Sequence, residues 1–470
     1  MSAVVISFVG FLLLFMGVGV LSMFKRVETT EDYLLASRGL NPWAVALSAV
    51  ATNNSGFMFI GLIGETYQQG LSAMWVMVGW VVGDYMMWVT GIPERVRARS
   101  AALGALTIPS FLGAGSRGRA ITTTAGLMTL FFLGLYAAAQ LNAGSKALHA
   151  LFGWDHYTGA LIGAAIVLLY CVAGGIRASI WTDVMQSVVM LVAMVLLCII
   201  AVAHLGGFDG LWASLRVIDP SLIDWRTGQS TSGFVLFAFG WLFAGAGVVG
   251  QPHIMVRVMT IDRVASMAKA RRIYFVWNAL FAAAAIVVGL AARAALTGET
   301  VSDPELALPL LAQNLLPAIL VGLVLAGIFA ATMSTADSQV LSCSAAITQD
   351  IYPRWKNNYG ISKLSTVVVT FLVLTIALAG GSVFDLIVLA WSSLAAGLGP
   401  LLVLRALNVP VRQSTGLMMI IGALGTVLVW RFGLALTSVV YDAMPATIMG
   451  FVIYGVDRMI FGETSSDEAT

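Results

Sequence analysis

Charge is scarce in this chain: of 470 residues only 10% are Asp, Glu, Lys or Arg, far below what any soluble globular class uses. Cysteine is scarcer still, and Cys171, Cys198 and Cys343 all fall inside apolar runs, which excludes a disulfide framework and reads them as small buried hydrophobes. The four histidines, His149, His156, His204 and His253, have no ligand spacing, so a metalloenzyme is not indicated. No nucleophile–base pair, metal motif or phosphate-binding glycine loop is present, and the chain is expected not to be an enzyme. What it has instead is apolar surface, with 59% hydrophobic residues and a mean hydropathy of +0.92. A soluble core cannot use so many apolar residues without exposing sticky patches, whereas helices facing lipid need them all round.

Apolar stretches of about 18–25 residues between polar or basic breaks predict thirteen spans: 3–24, 42–65, 72–93, 120–145, 158–175, 182–204, 232–251, 273–297, 318–343, 362–380, 383–406, 415–434 and 444–462. The first is followed by Lys25 and Arg26 and lacks a basic leader and a small-residue cleavage site, so it reads as a retained helix. With the amino terminus outside, all but five of the 25 Lys and Arg residues face the cytoplasm, Arg257 included. The exceptions are Lys146, Arg216, Arg226, Arg293 and Arg431, a bias that fixes orientation and puts the carboxyl terminus inside. Residues 211–217 and 306–315 read as short amphipathic helices on the outer face. The tail 463–470 reads as disordered.

Two spans are interrupted by residues that lipid does not tolerate. The second places Thr52, Asn53, Asn54, Ser55 and Gly56 near mid-membrane, and polar or irregular backbone survives at that depth only where it lines a cavity or packs against protein. An unwound stretch over 51–54 is expected. The seventh holds Gly240, Gly245, Gly247 and Gly250 before Gln251, Pro252 and His253. The two are five places apart in the order of spans, so they run in opposite directions, as an inverted repeat of five plus five helices requires.

Oxygen ligands gather in the ninth span, where Ser334, Thr335, Asp337 and Ser338 lie on neighbouring helix faces. Small hard cations take such ligands, and an acid within the membrane is a functional candidate by default. Asp183 reads either as a first-turn carboxylate or as a second candidate acid, and Asp84 is open in the same way. Arg38 reads as a solvated loop charge or as part of an inner gate.

The stretches that run from Asp32 and Tyr33 to Arg38, from Ala46 to Gly56, from Gly174 to Gln186, from Gly250 to Arg257, and from Ala330 through Thr335 to Asp350 resemble the sodium/solute symporter family, most of all its bacterial sodium/proline symporters. The resemblance implies an all-α polytopic membrane protein of about thirteen transmembrane helices with a 5+5 inverted repeat, the LeuT-like fold. It divides the chain into 1–41, a first repeat at 42–204, an outer loop at 205–231, a second repeat at 232–406, and accessory helices at 407–470. By position it implies a sodium site formed by the carbonyls of Ala51, Asn54 and Ala331 with the hydroxyls of Ser334 and Thr335, and a further site from Asp183, Ser334, Asp337 and Ser338. The solute would touch Asn53, Ser55, Phe57, Gly61, Tyr136, Gln140, Ala244 and Val248.

Two departures stand out. Proline symporters carry aspartate where this chain has Asn53 and serine where it has Asp337, so the carboxylate has been moved or replaced. They also place aromatic residues where it has Ala244 and Val248, which implies a wider pocket. The expected function is sodium-driven import of a small polar solute, an amino acid such as proline or a small carboxylate, with one or two Na+ ions, across a cytoplasmic (inner) membrane. The lipid bilayer is the only other partner expected, without nucleic acid or an obligate protein. A proton-coupled symporter, or a transporter-like sensor served by a separate signalling partner, is the alternative.

Overall fold

The computed structural model describes residues 3–25, 27–115, 118–226, 230–296, 301–356 and 358–462. Arg26 and Arg117, counted in the charge bias, and the tail 463–470 lie outside the described residues. The described chain is built of helices: α1 Ala3–Met23, α2 Pro42–Gly56, α3 Met74–Val89, α4 Ala120–Phe152, α5 His156–His204, α6 Thr231–Ala246, α7 Pro252–Thr260, α8 Met267–Ala295, α9 Ala318–Ala345, α10 Tyr359–Ala377, α11 Val383–Ala406, α12 Gln413–Leu428 and α13 Ala443–Phe461.

Eleven helices among the described residues are long and apolar enough to cross a membrane, against the thirteen spans expected. The difference arises at two places. The expected second and third spans fall in one helical stretch, Pro42–Val89, and the fifth falls on the short apolar helix His156–Leu169. No loop separates that fifth span from the sixth, because α5 continues through a kink at Gly175 with φ 58°. A Cβ at this glycine would lie 2.4 Å from the Tyr33 carbonyl oxygen, so both the angle and the space require glycine.

The helices start where the sequence supplies caps. Asn41 accepts from the Ala44 N–H with Pro42 in the first turn, Asp155 accepts from Thr158, and Ser382 accepts from Asp385. On the outer face, Gly207–Ile218 and Ala307–Leu315 form the two expected short helices. α2 and α9 sit buried at the centre of the bundle, whereas α1 and α13 leave most of their surface for lipid.

Both expected interruptions are present, one of them displaced. α2 stays helical through Asn54 and breaks at Ser55, with φ 48° and ψ −175°, followed by a wide turn over Phe57–Gly61 and a helix over Leu62–Gln69. A non-glycine residue holds that conformation only when its surroundings impose it. The freed Gly56 N–H donates to Gln140 Oε1 at 2.7 Å, and the Ser55 hydroxyl accepts from the Phe57 N–H at 3.0 Å. α6 ends in a tight turn over Gly247–Gly250, and Gln251 is extended before Pro252 opens α7. α3 and α6 cross at van der Waals closeness because their contact points are glycines. A Cβ on Gly83 would meet the Leu242 carbonyl oxygen at 2.0 Å, and one on Gly245 the Trp80 carbonyl oxygen at 1.9 Å.

Candidate cation and solute site

The break in α2 faces the hydroxyl-rich turn of α9. Ser334 Oγ donates to the Ala331 carbonyl at 3.1 Å and lies 3.4 Å from that of Ala51. Thr335 Oγ1 lies 3.0 Å from the Ala331 carbonyl and 3.1 Å from that of Thr52. Two hydroxyls and three carbonyls, all buried, therefore meet without an ionisable side chain among them. Each hydroxyl has lone pairs to offer once its proton rotates away, so the cluster can exchange hydrogen bonds for a small cation. The Thr52 carbonyl belongs to this group although the sequence did not single it out. The Asn54 carbonyl, which it did, accepts from the Phe57 N–H at the break.

One turn along α9, the second expected set surrounds a buried arginine. Asp183 Oδ2 accepts from the Ser48 hydroxyl at 2.5 Å and from Arg257 Nη2 at 3.1 Å. Asp337 Oδ1 accepts from Ser179 at 3.0 Å and from Ser338 at 2.9 Å. The Arg257 guanidinium also donates to Ser48, Ser179, Ser338 and the His253 carbonyl. Arg257 is fully buried, so its place among the expected charges facing the cytoplasm is corrected: nearly all of α7 is packed inside the bundle and holds the side chain in the core. One oxygen of each acid, Asp183 Oδ1 and Asp337 Oδ2, has no protein partner. The guanidinium pairs with Asp183, while Asp337 is linked to it only through Ser179 and Ser338, and that imbalance suits one further monovalent cation.

Beside these lies a small polar group. The Ser55 and Tyr136 hydroxyls are 3.2 Å apart, Gln140 holds Gly56, and the Tyr136 ring meets His253 edge-on at 5.6 Å. Gln140 Nε2 and both His253 ring nitrogens are buried without a protein partner. Asn53 is not among them: its amide turns to Tyr274 at 2.5 Å and Asp84 at 3.3 Å. Val248 lies in the turn after α6, and Ala244 in the last turn of that helix. The Ala244 carbonyl accepts from the Trp391 indole at 2.7 Å, and Trp391 packs on Trp80 at 4.4 Å, so aromatic bulk comes from α11 and α3 instead.

A cavity of about 830 Å³ opens on the Glu65, Lys146 and Asp385 side and reaches Gly61 and Trp241. Phe237, Trp241, Phe384 and Tyr441 give it aromatic walls; Phe57, stacked between Trp80 at 5.3 Å and Phe384 at 5.4 Å, lies behind Phe384, and neither Tyr136 nor Gln140 lines it. On the opposite side a slot of about 30 Å³ runs from Tyr33 and Thr107 to Arg257 and Ser338. That side is tied shut. Arg38 is no solvated charge, because its guanidinium reaches the Ala105 carbonyl at 2.7 Å and Ser100 Oγ at 3.1 Å. Asp32 binds Arg177, the Ser37 hydroxyl at 2.7 Å and the Val27 N–H at 2.9 Å. Burial opposes the charge on Asp32, but these donors outweigh it and hold the carboxyl below its ordinary value. The contribution of the pair is therefore present at neutral pH and is lost only as pH falls through that depressed value.

This arrangement matches known proteins over nearly its whole length. Residues 33–422 match the model of the sodium:solute symporter family. The osmoregulated proline transporter OpuE of Bacillus subtilis is 31% identical over 93% of this chain and 91% of its own, and the sodium/proline symporter of Escherichia coli is 32% identical over 91% and 87%. The chain belongs to the sodium:solute symporter family. As a member it is a multi-pass membrane transporter coupled to sodium rather than an enzyme. A Na+-coupled sialic acid symporter in a substrate-bound outward-open state shares its fold, with a TM-score of 0.80 over 99% of each chain at 20% identity. The nucleobase-cation-symport-1 family transporter Mhp1 does so more loosely, with a TM-score of 0.55 over 93% and 97% at 17% identity. For a family member, the pairing of α2 with α6 is the five-plus-five inverted repeat.

Relative to the expected set, Ala51, Ala331, Ser334 and Thr335 come together, Asp183, Asp337 and Ser338 gather one turn away, and Ser55, Phe57, Tyr136 and Gln140 group at the break. Arg257, Ser48, Ser179 and His253 were absent from the expectation. An arginine four residues after a histidine at a helix break was the one available signal.

Proposed function

We propose that this chain imports a small carboxylate-bearing solute, an amino acid such as proline or a small organic acid, together with sodium. One observation carries the reading: five oxygens from Ala51, Thr52, Ala331, Ser334 and Thr335 meet where broken α2 touches α9. A second ion fits beside Asp183, Asp337 and Ser338, where Arg257 leaves one carboxylate uncompensated. The solute carboxylate sits against the unpartnered donors of Gln140 and His253, at the break that Phe57 follows. Thirteen spans, counting both arms of α2–α3 and of α5, put the amino terminus outside and the carboxyl terminus in the cytoplasm of an inner membrane. The repeats are 42–204 and 232–406, and no protein partner is needed. Sodium steadies the outward-open form, solute completes the site, and rocking of the repeats exposes both inside.

The test is uptake of radiolabelled amino acids and carboxylates into proteoliposomes with and without an inward sodium gradient. Sodium-stimulated uptake of at least one of them is expected, and uptake indifferent to the gradient overturns the reading. Ala244→Trp adds bulk beside the break and should remove competition by the larger solutes while sparing the smallest. Unchanged competition takes Ala244 out of the pocket.

The inner tie predicts a further result. In a background with Cys171, Cys198 and Cys343 replaced, Asp32→Asn should speed alkylation at Ser342→Cys, in the inner slot, by about tenfold, the equivalent of roughly 1.4 kcal/mol. Equal rates with and without the change would remove Asp32–Arg177 from the gate.

A further inference from the structure

A second polar cluster lies where α2 meets α3 and α8, and the sodium cluster does not use it. Asp84 of α3 is fully buried. Its Oδ2 accepts from the Tyr274 hydroxyl of α8 at 2.6 Å and from the Asn53 amide at 3.3 Å, and Asn53 also donates to the Tyr274 oxygen at 2.5 Å. Asp84 Oδ1 and Asn53 Oδ1 are buried without a protein partner, as is the whole amide of Asn278, one helical turn beyond Tyr274.

No cation answers this carboxyl. Asp183 has Arg257 and Asp442 has Arg431 at 2.6 Å, but among the described residues Asp84 has no lysine or arginine contact. α2, α6 and the Gly247–Gly250 turn carry no titratable side chain. From α8 come Tyr274 and, one turn before it, Arg271, whose guanidinium is held by the Trp88 carbonyl at 3.0 Å and Glu94 at 3.5 Å. On α3 itself, Tyr85 is exposed and turned to Phe275. An ionised Asp84 would stand in a low-dielectric interior with neutral donors alone, a state that invites a positive occupant.

We propose that Asp84 is a proton-binding site, filled and emptied during the transport cycle, and that its occupancy tunes the sodium site through Asn53. The step is simple: an O–H bond forms at Asp84 Oδ1 with a proton from water on one side of the membrane, and it breaks by release to water on the other. A proton is favoured over a metal ion because the Tyr274 hydroxyl and the Asn53 amide turn their hydrogens toward the carboxylate, as they would away from a cation's ligand shell, and a proton needs only the one free oxygen. The link to sodium is short. Asn53 follows Thr52, whose carbonyl takes the Thr335 hydroxyl, and it precedes the break at Ser55 by two residues. An ionised Asp84 holds the Asn53 amide and Tyr274 hydroxyl by charge-assisted bonds, and a neutral one loosens them. Protonation also removes a negative charge near the cation, so protons and sodium oppose each other's binding, by the same factor in both directions.

The test uses the full chain in nanodiscs and needs no solute. Binding of radioactive sodium is measured across pH, and the infrared carbonyl band of protonated carboxyls is followed as pH or sodium rises. For the native chain, sodium affinity should fall by about fivefold or more on acidification, and a carboxyl band should disappear as sodium or alkali is added. Asp84→Asn should bind sodium weakly with a flat pH profile and lack that band, while Asp337→Asn keeps it. A band lost in Asp84→Asn that titrates with pH alone supports the proton site even if sodium fails to bind, so the proposal and the sodium reading fail separately. The native band and pH profile persisting in Asp84→Asn overturns the proposal. Should that variant not fold, Tyr274→Phe keeps the carboxyl but removes a donor to its ionised form, and the pH midpoint should move upward. An unmoved midpoint counts equally against it.

Discussion

Replacing Ser334 and Thr335 together by alanine should raise the sodium concentration needed for half-maximal uptake by about a hundredfold, with each single change giving at least tenfold, or about 1.4 kcal/mol per ligand. Each hydroxyl bridges α9 to a carbonyl of α2, at 3.4 Å for Ser334 to Ala51 and 3.1 Å for Thr335 to Thr52. Deleting both therefore removes the two hydroxyls proposed as cation ligands and the two links that aim the carbonyls. Because the pair shares the Ala331 carbonyl, the effects need not add, and the double variant is the informative one. Thr335→Ser retains the oxygen and should stay close to the native value. Unaltered sodium activation in the double variant would remove the site on which the transport reading stands.

Loss of Arg257 should be the most damaging single change in the core. Arg257→Leu leaves Asp183 and Asp337 buried with hydroxyl donors alone, and an uncompensated buried charge typically costs about 3–5 kcal/mol. Transport should vanish and the melting temperature in detergent should drop. Arg257→Lys preserves the charge but not the planar fork that serves Ser48, Ser179, Asp183 and the His253 carbonyl at once, so it should fall between the two. Adding Asp183→Asn to Arg257→Leu removes one stranded charge and should restore part of the melting temperature without restoring transport. An Arg257→Leu protein that melts with the native one would show that the guanidinium does not neutralise this cluster.

Much of the fold was legible because lipid imposes a local rule. A run of apolar residues of sufficient length marks a helix whatever its neighbours are, and polar clusters at 52–56 and glycines at 245–250 mark where helices break. The exact peptide that breaks was not legible. Ser55 adopts its left-handed angle because Gln140, on a helix 84 residues away, takes the Gly56 N–H. The turn at Gly175 escaped for a similar reason, since its need for glycine comes from Tyr33 on another segment.

In the site, residues that share a helix turn were found together, as with Ser334, Thr335, Asp337 and Ser338. Pairings between helices were not. Asp84 and Tyr274 stand 190 residues apart and no pattern within either helix points to the other. Arg257 was misplaced because a basic residue after a presumed span looks the same in sequence whether it stands in a loop or on a short buried helix. Only the turn over Gly247–Gly250 decides between them.

The glycine crossing of α3 and α6 bears on how the aromatic cluster beside the break moves. Backbones that touch at Gly83 and Gly245 leave no side chains between them to slide or repack, so the two helices must travel as one strut. Trp80 and Trp241, whose rings stack at 6.4 Å and whose backbones belong to that contact, ride on the strut together. Any opening at this crossing is thus expected to come from hinging of a rigid pair rather than from isolated flipping of single indoles.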